Sequence, residues 1–285
     1  MSTRAPRVVI TPAGRKRYVK LLFRHLASQR DAFDTWQIWL NTTDQDDLEY
    51  LRGLAKAHPD WIVTRELTVP HNGSLSIYSF FPGASEKGTT YLRLDDDIVW
   101  LEPGFVEAMM TYREANRAPF LVYGNIVNNA MISHLFQRAG LIDTSIGKVG
   151  YACMDDVGWK NGNFALALHE KFLEAIKTNQ YDQWHIQKWK LDYYERVSIN
   201  SIAWLGDDFA EFGGVVGTDE ELWLSVDKPR ALGRPNEIVG GLGKLCAHFA
   251  FYVQRDILDK TSVLASYEAL APIVCPHCTK CLSCS

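Results

Sequence analysis

The sequence lacks a long hydrophobic run and a strong excess of either charge. None of its 285 residues lies in a stretch that approaches the ~18 uninterrupted apolar residues of a membrane span. The N-terminus also lacks the apolar core of a secretory signal. The formal net charge is -4, whereas a dedicated nucleic-acid binder is usually strongly basic. These absences predict a soluble, cytoplasmic protein that has no membrane span and does not bind nucleic acid.

Acidic residues are absent from residues 1–30, which hold eight Arg and Lys side chains. An Arg-rich and acid-poor composition is typical of mitochondrial transit peptides. Residues 8–10, however, form an apolar β-rich run, and residues 11–14 have the composition of a turn that leads into a helix. We therefore interpret the segment as a core strand followed by a basic loop.

Cysteine is sparse except at the C-terminal end. Cys153 and Cys246 lie in mixed or apolar segments and are expected to be reduced core thiols. The other four are Cys275, Cys278, Cys281 and Cys284. This distribution differs from a disulfide framework and indicates a reducing compartment. The tail could bind zinc or an iron–sulfur cluster, although two residues between thiols is tight for one tetrahedral ion. The alternative is an oxidation-prone end without a metal.

Short β-rich runs alternate with longer helical patterns in the first half of the chain. The predicted strands are residues 8–10, 36–40, 61–63, 89–94 and 120–123, and the predicted helices are residues 15–26, 44–57, 74–81 and 103–112. This alternation predicts β-α-β units in a mainly parallel sheet, which binds ligands beyond the carboxyl ends of its strands.

The second half is less regular. It predicts strands at residues 162–168, 199–205 and 245–253, and helices at residues 219–224 and 262–270. No internal repeat is visible. We expect one α/β domain over residues 1–272, with a nucleotide-binding half at 1–124 and an acceptor-binding half at 125–272, followed by a cysteine-rich tail at 273–285.

Three adjacent acids, Asp95, Asp96 and Asp97, follow directly on an apolar strand pattern. Neighbouring carboxylates repel each other, and partial burial increases that repulsion. A divalent cation would relieve it, because Mg²⁺ and Mn²⁺ prefer carboxylate oxygens together with phosphate and water. The alternative is a solvated acidic turn. An EF-hand would need a glycine and a distant Glu that are absent, and the flanking elements fit a haloacid-dehalogenase phosphatase poorly.

Together with this motif, residues 8–17, 39–47, 90–103 and 217–253 resemble the GT-A glycosyltransferases. The likeness is to the family-2-like inverting enzymes, especially small bacterial and large-DNA-virus members, and it extends to about residue 270. It implies a GT-A α/β fold with a mixed, mainly parallel sheet. It also implies Mn²⁺- or Mg²⁺-dependent, inverting transfer of a sugar from a nucleotide-sugar, a UDP-sugar in our reading, to a glycan, lipid-linked or other hydroxyl acceptor.

The resemblance assigns roles at the acidic strand end. Asp97 would ligate the metal, Asp95 would contact the donor ribose or a metal-bound water, and Asp96 the base or donor sugar. The other residues assigned to donor binding are Thr11, Pro12, Ala13, Arg15, Asn41, Asp44, Arg93 and Arg234. Among these, Arg15 adds positive charge for a diphosphate, although it also fits a solvated helix face. Arg234 lies in a glycine-rich loop, residues 233–243, that resembles a lid over the diphosphate.

An acidic pair begins a predicted helix in the second half. Thr218 and Glu221 match a capping box, which leaves Asp219 and Glu220 on the first turn. A carboxylate there is stabilised as an anion and can accept a proton. Inverting family members place the catalytic base in such a pair, but in Glu-Asp order. Either acid can therefore be the base, and we favour Asp219.

Other candidates have both a functional and a structural interpretation. Asp207 and Asp208, after predicted strand 199–205, could bind the acceptor or supply the base, or could cap a helix. His248 could be a further metal ligand, as in many GT-A enzymes, or a hydrogen-bonded core residue. Trp159 could stack on an acceptor sugar. A nucleotidyltransferase on the same fold, or an inactive carbohydrate- or partner-binding relative, are the alternative functions.

Overall fold

The computed structural model describes residues 4–274. Its strands are β1 (Arg7–Ala13), β2 (Thr35–Leu40), β3 (Ile62–Glu66), β4 (Thr90–Leu94), β5 (Ile98–Leu101), β6 (Val122–Tyr123), β7 (Asn125–Val127), β8 (Trp189–Lys190), β9 (Ser201–Leu205), β10 (Glu237–Ile238) and β11 (Leu245–His248). Its helices are α1 (Lys16–Ala27), α2 (Gln45–Ala57), α3 (Phe105–Ala115), α4 (Ala130–Arg138), α5 (Gly162–Lys177), α6 (Gly206–Ala210), α7 (Glu220–Leu222), α8 (Lys228–Leu232), α9 (Arg255–Leu258) and α10 (Val263–Leu270). None of these helices is both long enough and apolar enough to cross a bilayer.

The central sheet is mixed. Its eight strands follow the order β3-β2-β1-β4-β9-β6-β10-β8. Strands β3, β2, β1 and β4 are parallel, whereas β9 is antiparallel to both of its neighbours. A second, smaller sheet has the order β5-β11-β7. The predicted α/β architecture is therefore confirmed.

Burial explains why the first strands and helices form where they do. Every residue of β1 and β4 is buried, as expected for strands covered on both faces. Helix α1 buries Tyr18, Leu22 and Leu26, which recur at helical spacing, and leaves its basic residues on the outer side. The basic segment at residues 15–26 is therefore a helix of the core, as we predicted.

The direction of β9 decides which residues reach the ligand-binding edge. In the antiparallel pairing with β4, Ser201 lies opposite Leu94 and Leu205 lies opposite Thr90. Residues that precede β9 therefore meet the acidic end of β4, and residues that follow β9 lie at the opposite edge. Asp208 lies at that opposite edge, in α6.

Two second-half predictions are wrong in type or length. Residues 162–168 form the start of α5 instead of a strand, because Asn161 caps the helix and buried Phe164, Leu168 and Phe172 recur every four residues. The strand predicted at 245–253 ends at His248. The chain then turns through a 3₁₀ turn, Tyr252–Gln254, into α9.

Candidate active site

A cleft of about 1110 Å³ lies at the carboxyl ends of β1, β2 and β4. Among the residues that line it are the predicted site residues Pro12, Arg15, Asn41, Arg93, Asp95, Asp96, Asp97, Trp159, Asp219, Glu220 and His248. The structure thus brings together residues that are up to 236 positions apart, from Pro12 to His248.

Each carboxylate at the end of β4 has a basic partner. Arg93 donates from Nε to Asp95 at 2.9 Å, and Arg15 pairs with both Asp96 and Asp97, at 3.0 Å from Asp97 Oδ2. Arg255 lies 3.6 Å from the same Asp97 oxygen. The repulsion that we expected a cation to relieve is therefore already compensated by guanidinium groups. Repulsion among the three carboxylates therefore no longer argues for a bound metal. Whether a metal fits here depends on the geometry of the side chains that could bind it.

Asp97 and His248 face each other across the two sheets. His248 Nε2 lies 3.5 Å from Asp97 Oδ1, while His248 Nδ1 is 3.0 Å from the Asn128 carbonyl oxygen. Burial alone would lower the pKa of His248, but the neighbouring Asp97 carboxylate raises it. Burial would raise the pKa of Asp97, but Arg15 and His248 hold it below its ordinary value. The contact is thus a buried ion pair when no cation separates the two side chains.

The same pair can be tested as a metal site. Within residues 4–274, no three His, Cys, Asp or Glu side chains converge as a set of metal ligands. Mg²⁺ is often held by one or two carboxylates, with substrate phosphates and water completing the shell. The bond from His248 Nδ1 to a backbone carbonyl is the usual way to orient a ligating imidazole. Asp97 and His248 therefore fit a two-ligand site that a bound diphosphate would complete.

The helix start at α7 differs from the predicted capping box. Asp219, instead of Thr218, is the N-cap and accepts a hydrogen bond from Leu222 N at 3.1 Å. Arg196 binds Asp219 through two nitrogens, each at 3.0 Å. Arg196 also donates from Nε to Glu221 at 2.7 Å. Both acids that flank Glu220 are therefore engaged in structural contacts.

Glu220 is the acid of this helix start that keeps a buried oxygen without a partner among the described residues. Its Oε1 accepts from Arg93 at 3.1 Å, while its Oε2 is buried and has no partner among the described residues. Burial raises the pKa of Glu220 to about 7; the Arg93 guanidinium opposes this shift, and the negative charge of Asp95 adds to it. A carboxyl with this pKa can exchange a proton near neutral pH.

Two guanidinium nitrogens near Asp97 also have no partner. They are Arg15 Nη1 and Arg255 Nε, and both are buried within the described part of the chain. Both residues line the cleft. Guanidinium donors in this position suit the oxygens of a phosphate group, which accept charge-assisted hydrogen bonds.

Three predicted nucleotide-binding residues serve the fold instead of the cleft wall. Thr11 and Ala13 are fully buried, and Thr11 Oγ1 accepts from Trp36 Nε1 at 3.0 Å. Asp44 is the N-cap of α2 and accepts from Asp47 N at 3.0 Å. Of the predicted residues around the nucleotide base, Pro12 and Asn41 do line the cleft.

Arg234 and Asp208 form a separate ion pair outside the cleft. The guanidinium of Arg234 contacts Asp208 at 2.7 and 3.0 Å, and it also binds backbone carbonyls of residues 117–119. Arg113 binds Asp208 from the other side at 2.7 Å. Asp207 accepts from Gly88 N at 3.2 Å. These positions correct our assignment of Arg234 to the diphosphate and of both Asp residues to the acceptor or the base.

Sequence reasoning missed several polar residues of the cleft, four of which lie close to its acids. Arg196, Ser198 and Asn200 precede β9, and Asn200 Nδ2 lies 3.2 Å from Asp95 Oδ2. Their position depends on the antiparallel direction of β9, for which the sequence carries no signal. Arg255 begins α9, and its proximity to Asp97 depends on the pairing of β11 with β5. In contrast, the acids of the site were visible as a strand end and a helix start.

Comparison with known proteins identifies no family for this chain. No protein-family model matches it, and no curated protein sequence matches it. The solved structures that it resembles include a CMP:2-keto-3-deoxy-manno-octonic acid synthetase complexed with CTP, at 9% identity and a TM-score of 0.46, covering 93% of this chain and 100% of that one. They also include a 4-diphosphocytidyl-2C-methyl-D-erythritol synthase from Anaerococcus prevotii, at 10% identity and a TM-score of 0.41, covering 94% and 96%. At these values the likeness carries no argument about activity, which must come from the cleft.

Proposed function

We propose that the protein is a glycosyltransferase that moves a sugar from a nucleotide-sugar, a UDP-sugar in our assignment, to an acceptor hydroxyl with inversion. The observation that supports this most is Glu220, a buried acid of the cleft lining with a pKa of about 7 and one oxygen without a partner among the described residues. Transfer to an alcohol needs a base, because a hydroxyl is un-ionised at neutral pH. Asp219, which we favoured from the sequence, is instead held by Arg196 and by the helix backbone.

One proton moves in the proposed step, from the acceptor hydroxyl to Glu220. The acceptor oxygen attacks the anomeric carbon while the bond from that carbon to the diphosphate oxygen breaks. The acceptor proton passes to Glu220 Oε2, and the nucleoside diphosphate leaves with the bonding electrons. Because the acceptor attacks from the face opposite the leaving group, the anomeric configuration inverts. Arg93 keeps Oε1 of Glu220 occupied, so that Oε2 is the oxygen that receives the proton.

Arg15 and Arg255, which lie beside Asp97 Oδ2, can supply positive charge for the leaving diphosphate. Arg15 and Arg255 would donate from their unpartnered nitrogens to its oxygens. Asp97 and His248 would hold Mn²⁺ or Mg²⁺, which when bound supplies Lewis-acid stabilisation of the departing phosphate. Pro12 and Asn41, which line the cleft, would border the nucleoside. The donor side of the cleft would thus bind the nucleotide, and the Glu220 side would receive the acceptor.

Nucleotidyl transfer is the second candidate, because the free nitrogens of Arg15 and Arg255 would also serve a triphosphate. Glu220 separates glycosyl transfer only from nucleotidyl transfer to a sugar phosphate, since a sugar hydroxyl can also attack phosphorus and then needs a base as well. A sugar phosphate that attacks phosphorus is already ionised at neutral pH and needs no base, whereas a hydroxyl nucleophile does. The position of Glu220 in the cleft therefore favours transfer to a hydroxyl.

Product analysis tests the proposal. The full chain is incubated with Mn²⁺ and radiolabelled UDP-sugars, and separately with UTP or CTP and sugar phosphates. We expect release of UDP, by slow donor hydrolysis without an acceptor and faster when a suitable acceptor is added. Release of diphosphate from a nucleoside triphosphate would instead establish the nucleotidyltransferase. Absence of turnover with every donor, despite UDP binding, would indicate an inactive relative.

A further inference from the structure

Two aromatic side chains form a corner at the edge of the cleft, on the side where His248 lies. Trp159 and Tyr252 both line the cleft, and their ring centroids lie 5.5 Å apart with an interplanar angle of 81°. Tyr252 is 68% exposed, although its ring is large and apolar. Such a corner offers an open aromatic surface beside the site of the chemistry. We infer that Trp159 and Tyr252 form a subsite for the pyranose ring of a sugar substrate.

The polar groups of this corner favour a sugar over a purely apolar ligand. Each ring carries one polar donor, the indole N–H of Trp159 and the hydroxyl of Tyr252, and Tyr252 is largely exposed. A pyranose presents C–H groups on its faces and hydroxyls around its rim. It can therefore pack on an aromatic ring and accept or donate hydrogen bonds at the same time. An isoprenoid chain would cover the rings and leave both donors without partners.

The corner is held in place by a buried amide. Gln254 is fully buried; its Oε1 accepts from Phe251 N at 3.1 Å, and its Nε2 lies 3.3 Å from the Gly158 carbonyl oxygen. Gln254 therefore joins the segment before Trp159 to the turn that carries Tyr252. Asp155 fixes the first segment further by accepting from Val157 N and Gly158 N at 2.9 and 2.7 Å. A subsite with this support loses little entropy when it binds.

The same contacts connect the corner to the proposed reaction centre. The ring of Phe251 lies 6.0 Å from Trp159 and 4.7 Å from the imidazole of His248. Gln254 also accepts from Asn128 Nδ2 at 3.0 Å, and the Asn128 carbonyl is the partner of His248. The corner thus adjoins the proposed donor site. Because it would serve the proposed glycosyl transfer, the subsite depends on that function for its biological meaning.

Saturation-transfer NMR tests the subsite without requiring turnover. The probes are methyl glycosides of glucose, galactose, mannose and N-acetylglucosamine, added to the full chain with UDP and Mn²⁺. We expect at least one glycoside to bind with saturation concentrated on the C–H protons of one ring face. Tyr252→Ala and Trp159→Ala should each weaken that binding about tenfold, which corresponds to roughly 1.4 kcal/mol. Tyr193→Ala is the matched control, because Tyr193 is 86% exposed and lies outside the cleft lining.

Further variants keep the test decisive if Trp159→Ala disturbs the packing against Phe251. Trp159→Phe keeps a ring but removes the N–H, and it should weaken the glycoside less than Trp159→Ala. UDP binding to Tyr252→Ala should stay within twofold of wild type. The inference is overturned if no glycoside binds the wild type, if binding is unchanged in Tyr252→Ala, or if farnesyl phosphate alone occupies the corner. If a glycoside binds there but no nucleotide-sugar is consumed, the subsite stands and the proposed function fails.

Discussion

Asp219 and Glu220 are neighbours in the chain but differ in their surroundings. Asp219 is half-exposed, caps α7 and binds Arg196 through both oxygens, so each of its oxygens already accepts a hydrogen bond. Glu220 is buried beside Arg93 and keeps Oε2 free. The difference arises from contacts with residues 93 and 196, which lie far from the pair in sequence. At the scale of single residues, burial and competition for partners thus identify the proposed base.

Glu220→Gln should abolish most turnover while leaving the donor bound. We expect kcat to fall by about 10²–10⁴-fold, the usual contribution of a general base, with UDP affinity within a few-fold of wild type. Wild-type kcat/KM should fall as the pH drops below about 7, because Glu220 becomes protonated there. Initial rates across pH 5–9 measure both effects. Asp219→Asn is the control, and an Asp219→Asn enzyme as inactive as Glu220→Gln would move the base to Asp219.

The raised pKa of Glu220 also predicts how stability depends on pH. The folded protein holds the Glu220 proton more tightly than the unfolded chain does, since burial raises this pKa from 4.5 to about 7. Wild type should therefore lose stability relative to Glu220→Gln as the pH rises from about 4.5 to about 7, with no further relative change above that range. Thermal unfolding of both proteins at pH 5 and pH 8 measures this, and a pH-independent difference would contradict the assigned pKa.

Asp97→Ala should weaken UDP binding in Mn²⁺ by at least about tenfold and abolish turnover, because it removes one of the two proposed metal ligands. The measurement is calorimetric titration of UDP with and without Mn²⁺. Equal UDP affinity of the wild type in excess chelator would show that the metal assignment is wrong. Asn200→Ala is a control within the same cleft, since Asn200 contacts Asp95 but is not a proposed metal ligand. UDP binding to this variant should stay manganese-dependent.

At the scale of elements, the turn from β1 into α1 fixes the end of β4. Gly14 N donates to Asp96 Oδ2 at 2.9 Å, which joins the turn to the acidic strand end. A Cβ at Gly14 would lie 2.4 Å from the Asn41 carbonyl oxygen, so no side chain fits between the ends of β1 and β2. This glycine therefore allows two strand ends to approach closely beside the proposed nucleotide site.

Gly14→Ala should destabilise the protein by about 1–3 kcal/mol, because backbone must move to admit the methyl group. It should also weaken UDP binding by displacing Asn41 or Asp96. Chemical denaturation and UDP titration measure the two effects. Gly53→Ala in α2 is the matched control: a Cβ added at Gly53 would meet no atom within 4 Å, and the helix should gain about 0.5–1 kcal/mol. Equal stability of the two variants would contradict the role of Gly14.

At the scale of the whole molecule, the described chain closes its own core before the cysteine-rich tail. Tyr267 of α10 is buried and bonds to His169, and Arg24 of α1 donates to the Pro272 carbonyl oxygen at 2.8 Å. Cys275, Cys278, Cys281 and Cys284, and any zinc or iron–sulfur site on them, lie outside the described residues. The cleft contacts given above all join residues within 4–274.

Truncation after Val274 should therefore keep the melting temperature within about 2 °C of the full chain, a shift that corresponds to less than about 1 kcal/mol at this size. It should also keep UDP binding and turnover, and lose any zinc or iron that the full chain carries. Differential scanning calorimetry, activity and metal analysis compare the two proteins. A truncated protein that folds but does not turn over would place the tail at the active site or at a subunit contact.

Local patterns in the sequence determined the α/β class, the order of the first strands and helices, and the acids of the cleft. They could do so because the spacing of apolar residues, and the acids at the end of a strand or the start of a helix, are visible within a few consecutive residues. The tertiary structure alone decided the direction of β9, which brings Asn200 to Asp95 and removes Asp208 from the site. It also decided which acid is buried with a free oxygen, since partners such as Arg93 and Arg196 come from distant strands and loops. A short pattern fixes what a residue is and which element it joins, whereas charge compensation and pKa depend on neighbours that only folding supplies.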